Sequence, residues 1–170
     1  MSRKERIKTL LQVSRSTSEK MLADFKTPKE WTFQVHPDAN HALWFAGHMA
    51  STDNFFLSWF APEKSQDLPG YKEKFGMGSK PVCDPAAYPP AADVLAVMRE
   101  RRQTLLALLD RLSDADLEKP KPKGGPEFMS DVGSVFEFIP WHEGLHTGQI
   151  SIARRALGHS PLMSGPPAAK

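Results

Sequence analysis

Two histidines four residues apart, His142 and His146, sit inside a run whose apolar residues recur at three- and four-residue intervals. On a helix such a pair leaves one face about one turn apart, so both imidazoles can reach a single cation. The repeat passes through Val135, Phe138, His142, Leu145, His146, Gln149, Ile152, Ala153 and Ala156. It predicts one inward stripe that places the histidines among core positions. Ser134 and Glu137 have capping-box spacing, Arg154 and Arg155 suit the negative C-terminal end, and Gly158 can close the helix. Pro140 objects, and predicts a kink or irregular turn just before His142.

The rest of the chain also reads as helix. Ile7, Leu10, Leu11, Ser14, Ser18, Met21, Leu22 and Phe25 form the inner face of a first helix, with basic residues opposite, ending before Pro28. Asp38 or Asn40 can cap a second helix, residues 41–60, that is apolar around most of its circumference. Such a helix is central to a core, so His48 within it is enclosed and needs hydrogen-bond partners or a metal. Residues 61–90, rich in Pro, Gly, Lys and Ser, form a long crossover that Tyr71, Phe75, Met77 and Tyr88 can pin to the helices. A third helix over residues 91–112 and a polar linker over 113–133 precede the histidine helix. No stretch alternates as a strand would. The expectation is an all-α, four-helix bundle with long crossover connections, in one domain spanning residues 1–170.

A content of 40% hydrophobic and 25% charged residues in 170 supports one substantial core. The net charge of +2, from 22 basic and 20 acidic residues, demands neither nucleic acid nor an anionic membrane. Arg99, Arg101 and Arg102, like the basic residues 3–8, read as solvated helix faces. No apolar run has signal-peptide or membrane-spanning length, so a soluble cytoplasmic protein is expected. The single cysteine, Cys83, excludes an internal disulfide and a CxxC motif, and its Pro-rich surroundings make it an incidental thiol on a loop.

His142-Glu143-Gly144-Leu145-His146 matches the HExxH pattern of zinc peptidases. The context disagrees. After Glu143 the chain has no acidic residue to serve as third ligand, and the extended motif would need His and Gly where Ile152 and Gln149 stand. The third ligand is therefore sought upstream, and His48 is the candidate because it sits in an apolar helix. Three neutral imidazoles on a divalent cation leave coordination positions open, as catalytic sites do. His41 lies about 10 Å along the helix axis from His48, which suits a capping, surface or outer-pocket role. His36 reads as loop and His159 as a frayed end. Glu143 is offset about 100° from His142, so a salt-bridging role competes with that of a general base, and Gln149 reads as a helix-packing residue or a partner of a ligand. Trp44, Phe45 and Trp141 are expected to line the metal's surroundings.

Asn40-His41-Ala42-Leu43-Trp44-Phe45-Ala46-Gly47-His48 and His142-Glu143-Gly144-Leu145-His146-Thr147-Gly148-Gln149-Ile150, with Arg154-Arg155-Ala156-Leu157-Gly158 at the end, resemble the DinB superfamily over nearly the whole chain. The resemblance implies an unusual four-helix bundle, frequently dimeric, with His48, His142 and His146 binding zinc, nickel, iron or manganese. It also implies a metal-dependent enzyme, such as a thiol-dependent transferase acting on small electrophiles with a low-molecular-weight thiol. A metal-dependent hydrolase and a non-catalytic, metal-stabilised dimeric interaction domain are the alternatives, and no nucleic acid or membrane partner is implied. Leu145 and His41 depart from the pattern, where many relatives carry a histidine and a small polar residue.

Overall fold

The computed structural model describes residues 1–122 and 125–162, so the polar linker at 113–133 is described apart from residues 123 and 124. Four long helices, α1 (Arg3–Leu22), α3 (Ala42–Phe60), α5 (Ala91–Arg111) and α7 (Val132–Ala156), are joined through three short ones, α2 (Pro28–Trp31), α4 (Tyr71–Phe75) and α6 (Asp114–Leu117). No strand occurs among the described residues. None of the helices is long and apolar enough to cross a membrane.

Local chemistry sets the helix starts. Ser2 with Glu5, Thr27 with Glu30, and Ser113 with Asp116 each satisfy two free backbone N–H groups in a capping box, and Pro28 takes the first turn of α2, where its missing N–H costs nothing. Two expected caps are corrected. Asp131 caps α7 in a box with Ser134, one turn before the Ser134–Glu137 spacing predicted. His41 caps α3, its Nδ1 accepting the Trp44 N–H at 3.0 Å, because its imidazole reaches that N–H while Asp38 and Asn40 stand in the preceding turn. The irregular turn expected at Pro140 is also absent, and α7 continues as α-helix through it.

α3 packs along α5 and α1 along α7, and contacts of α3 with α7 and of α1 with α5 close the ring. The interior has two apolar clusters. One gathers Leu22, Phe25, Trp31, the first half of α3, Phe75, Met98 and Ile150; the other gathers Ile7, Leu11, Phe56, Leu57, Leu105, Phe136 and Ile139. Between them each long helix contributes one member of a linked, buried ion cluster: Arg15, Asp53, Arg102 and Glu143. Two readings of charge are thereby corrected. Arg15 belongs to the inner face of α1, and Arg101 and Arg102 are 2% and 1% exposed instead of solvated, because the folded partners neutralise and hydrogen-bond them. Arg99 alone of its cluster lies on the surface, 3.2 Å from Glu19.

The inward stripe of α7 is rotated from the predicted one. Val132, Val135, Phe136, Ile139, Glu143, Ile150 and Ala153 are buried, whereas Leu145 and Ile152 are 53% and 61% exposed. Rotation puts Glu143 in the core and His142 and His146 at the edge of the stripe, half-buried.

Candidate metal centre

His48 faces the edge of α7 from α3. The ring nitrogens of His48, His142 and His146 converge, with one potential ligand atom from each lying within 4.8 Å of the others. His142 Nε2 is 3.3 Å from His48 Nε2 and 3.1 Å from His146 Nε2. The outer nitrogens fix the protons. His48 Nδ1–H donates to the Phe75 carbonyl at 2.7 Å, and His146 Nδ1–H donates to Gln149 Oε1 at 2.9 Å, an oxygen that also accepts from Asn40 Nδ2 at 2.9 Å. Both Nε2 atoms therefore present lone pairs to His142. A proton on His142 Nε2 could serve one of them. An electron-pair acceptor at the centre would serve all three, and three Nε2 atoms positioned in this way fit a divalent cation with open coordination positions.

Burial also keeps the rings neutral, as metal ligation requires. Loss of solvent pushes His48 and His142 down to about 4, and shifts His146 in the same direction against its Gln149 bond. Trp44 stacks on His48 at 4.4 Å between ring centres, its indole N–H donating to Ser79 Oγ, and Phe138 stacks on His142 at 5.5 Å.

His48 and His142 line a cavity of about 770 Å³, whose walls include Phe55, Phe56, Trp59 and Phe138. These rings take the place expected for Phe45, which is buried in the core, and Trp141, which is 61% exposed on the outer side of α7. Sequence reading missed this cavity because its far wall comes from the crossover and from the residues before α7, whose positions no local pattern encodes. The crossover does approach the site. Phe75 is fully buried and its carbonyl orients His48, and Tyr71 and Tyr88 are partly buried around it, while Met77 is 97% exposed and pins nothing.

Glu143 is not aimed at the histidines. Burial alone would raise its carboxyl, but Arg102, Arg15 and the Ser18 hydroxyl outweigh that and hold it at about 2. Arg15 Nε meets Glu143 at 2.8 Å and Arg15 Nη2 meets Asp53 at 3.1 Å; Arg102 binds both oxygens of Asp53 at 2.9 and 3.0 Å and reaches Glu143 at 2.8 Å. The salt-bridging reading of this residue holds. His41, fully buried and pushed to about 4 by burial, fills the capping role and packs edge-on to Tyr88. His36 is exposed on its loop, His159 follows the end of α7, and Cys83 is exposed with its thiol donating to Gln34.

No curated protein matches the chain. The family model of the DinB superfamily matches residues 10–150, a span that contains α3, α5 and most of α7 together with all three converging histidines. Helical architecture, histidine placement and that match agree, and the chain belongs to the DinB superfamily.

Proposed function

We propose that this protein is a metal-dependent enzyme in which His48, His142 and His146 hold one divalent cation, zinc, nickel, iron or manganese, and that it transfers a low-molecular-weight thiol to a small organic electrophile. The observation that carries this reading is that two of the three histidines also form the wall of a large, mainly apolar cavity, so the open side of the cluster faces space for a substrate. A bound cation would supply Lewis acidity that keeps a thiol ionised near neutral pH. The chain's own residues do the rest. Phe75 and Gln149 hold two imidazoles in the tautomer that presents Nε2, and aromatic walls offer the electrophile an apolar surface. Cys83 does not line the cavity, so the nucleophile is brought by a cosubstrate. Transfer is favoured over hydrolysis because no carboxylate lines the cavity among the described residues, and Glu143 is committed to two arginines.

The test is elemental analysis of untagged protein beside His48→Ala, His142→Ala, His146→Ala and His159→Ala, with thiol consumption measured against a panel of electrophiles. About one cation per chain is expected, lost in the first three variants and kept in the fourth, with thiol consumption following the metal. A metal-free protein that gains no thermal stability from any of the four cations would sink the reading.

A further inference from the structure

Several features of the cavity go beyond its position beside the histidines. Its apolar wall is a set of interlocked rings, with Phe55–Trp59, Phe55–Phe56 and Phe56–Trp59 centroids at 5.0, 5.5 and 5.6 Å, and Phe138 joining at 6.3 Å from Phe56. Aromatic faces and edges in this number suit a planar or branched apolar body. A volume of about 770 Å³ matches an organic molecule of cofactor or drug size.

Some polar groups in the lining are already used. Asn54 Nδ2 donates to the Gln66 carbonyl at 2.8 Å, and Asn54 Oδ1 accepts from the Gln66 N–H at 2.9 Å and from buried Arg101 at 3.2 Å. Two further polar groups of the lining bear on a ligand. Ser51 Oγ, one turn beyond His48, is buried without a hydrogen-bond partner among the described residues. Lys72 of α4 is the only charged side chain among the described lining residues apart from the neutral histidines, and it makes no ion pair there.

We infer that the cavity binds an organic anion with an apolar body, its negative group received by Lys72 at the α4 wall and its other end directed toward Ser51 and the histidines. A cation beside apolar walls, with no carboxylate in the lining, favours a negative ligand and discriminates against a positive one. The inference rests on the cavity being the substrate site of the proposed enzyme, and names the chemical class of that substrate. α4 then has two tasks from adjacent turns: Phe75 orients a histidine and Lys72 recognises charge.

Two fluorescent probes with one aromatic body separate the contributions. Anilinonaphthalene sulfonate carries a negative charge and phenylnaphthylamine does not. Full-length protein is titrated with each, alongside Lys72→Met and, as a control on the same helix, Lys74→Met, whose ammonium bonds the Ala87 carbonyl and does not line the cavity. The sulfonate should bind the unmodified chain more tightly than the amine and weaken about fivefold in Lys72→Met, the upper end of what an ion pair to an exposed lysine contributes. The amine should shift less than twofold, and Lys74→Met should change neither. Equal affinity for the two probes, or a sulfonate affinity indifferent to Lys72, would overturn the inference. Metal content measured on the same samples separates the two readings. Lysine-dependent selectivity in a metal-free protein leaves the anion site standing and removes the metal proposal, whereas full metal content without that selectivity removes the anion site alone.

Discussion

His142 and Glu143 are consecutive residues of one helix that open onto opposite kinds of polar cluster. Glu143 enters a set of two arginines and two carboxylates whose charges cancel and whose atoms are hydrogen-bonded further to the Ser14 and Ser18 hydroxyls and to the Leu11 and Met98 carbonyls. His142 enters a set of three imidazoles in which lone pairs meet and Nδ1 of His142 itself is buried without a partner among the described residues. The first cluster is complete within the chain and the second is not. Completeness separates polar groups that fix a fold from polar groups that await a ligand, and here one helix turn carries both.

The largest effect should come from breaking the complete cluster. Glu143→Ala leaves two buried guanidiniums sharing Asp53 alone, and should cost about 3–5 kcal/mol in denaturant unfolding. A loss below about 1 kcal/mol would mean that water or rearrangement completes the cluster without Glu143. Completing the second cluster comes next. A divalent cation at about a hundred times its dissociation constant should stabilise the protein by about 2.7 kcal/mol, and His146→Ala should abolish that gain without much harm to the metal-free protein.

Acid separates the clusters by window. The unfolded chain binds more protons than the folded one wherever a histidine's folded value lies below 6.5, so metal-free protein should lose stability as pH falls from about 6.5 to about 4, through His41, His48 and His142. Glu143, held at about 2 against an ordinary 4.5, contributes fully above 4.5 and is lost only below it. Melting temperatures across pH should therefore fall in two stages, and a bound cation, which keeps its ligand nitrogens free of protons, should move the first stage to lower pH. A single stage would show that the two clusters titrate together. The smallest effect is expected at Gly144, which follows Glu143 but faces open space. Gly144→Ala should stabilise α7 by about 0.5–1 kcal/mol and leave metal content unchanged.

Much of this was legible in the sequence. The spacing of His142 and His146 is a local fact, and an apolar helix around His48 is another, so the cluster could be assembled on paper. The rotation of α7 could not. A carboxylate read by its own hydropathy faces water, and Glu143 faces the core only because Arg15 and Arg102 arrive from helices far away in the chain. The same blindness placed Arg101 and Arg102 in solvent. The cavity was illegible for a related reason, since its walls join α3 to segments without periodicity.

The seating of α4 on α3 has a consequence for how such a protein can be varied. A Cβ at Gly47 would lie 2.3 Å from the Phe75 ring, so the helix backbone itself receives the crossover at the residue next to His48. The crossover is fastened there, and again where the Gln66 backbone pairs with Asn54, Ser79 with Trp44 and the Lys64 carbonyl with Arg101, which leaves side chains between these points free to vary. Met77, Gln66 and Leu68 all line the cavity, and none of them bonds to a histidine. Substitutions there can redraw the cavity's outline while the Gly47–Phe75 rivet keeps the imidazole pointing the same way. The molecule divides into an invariant fixture and an interchangeable wall, and a designer seeking new substrates should exchange the wall and leave the rivet alone.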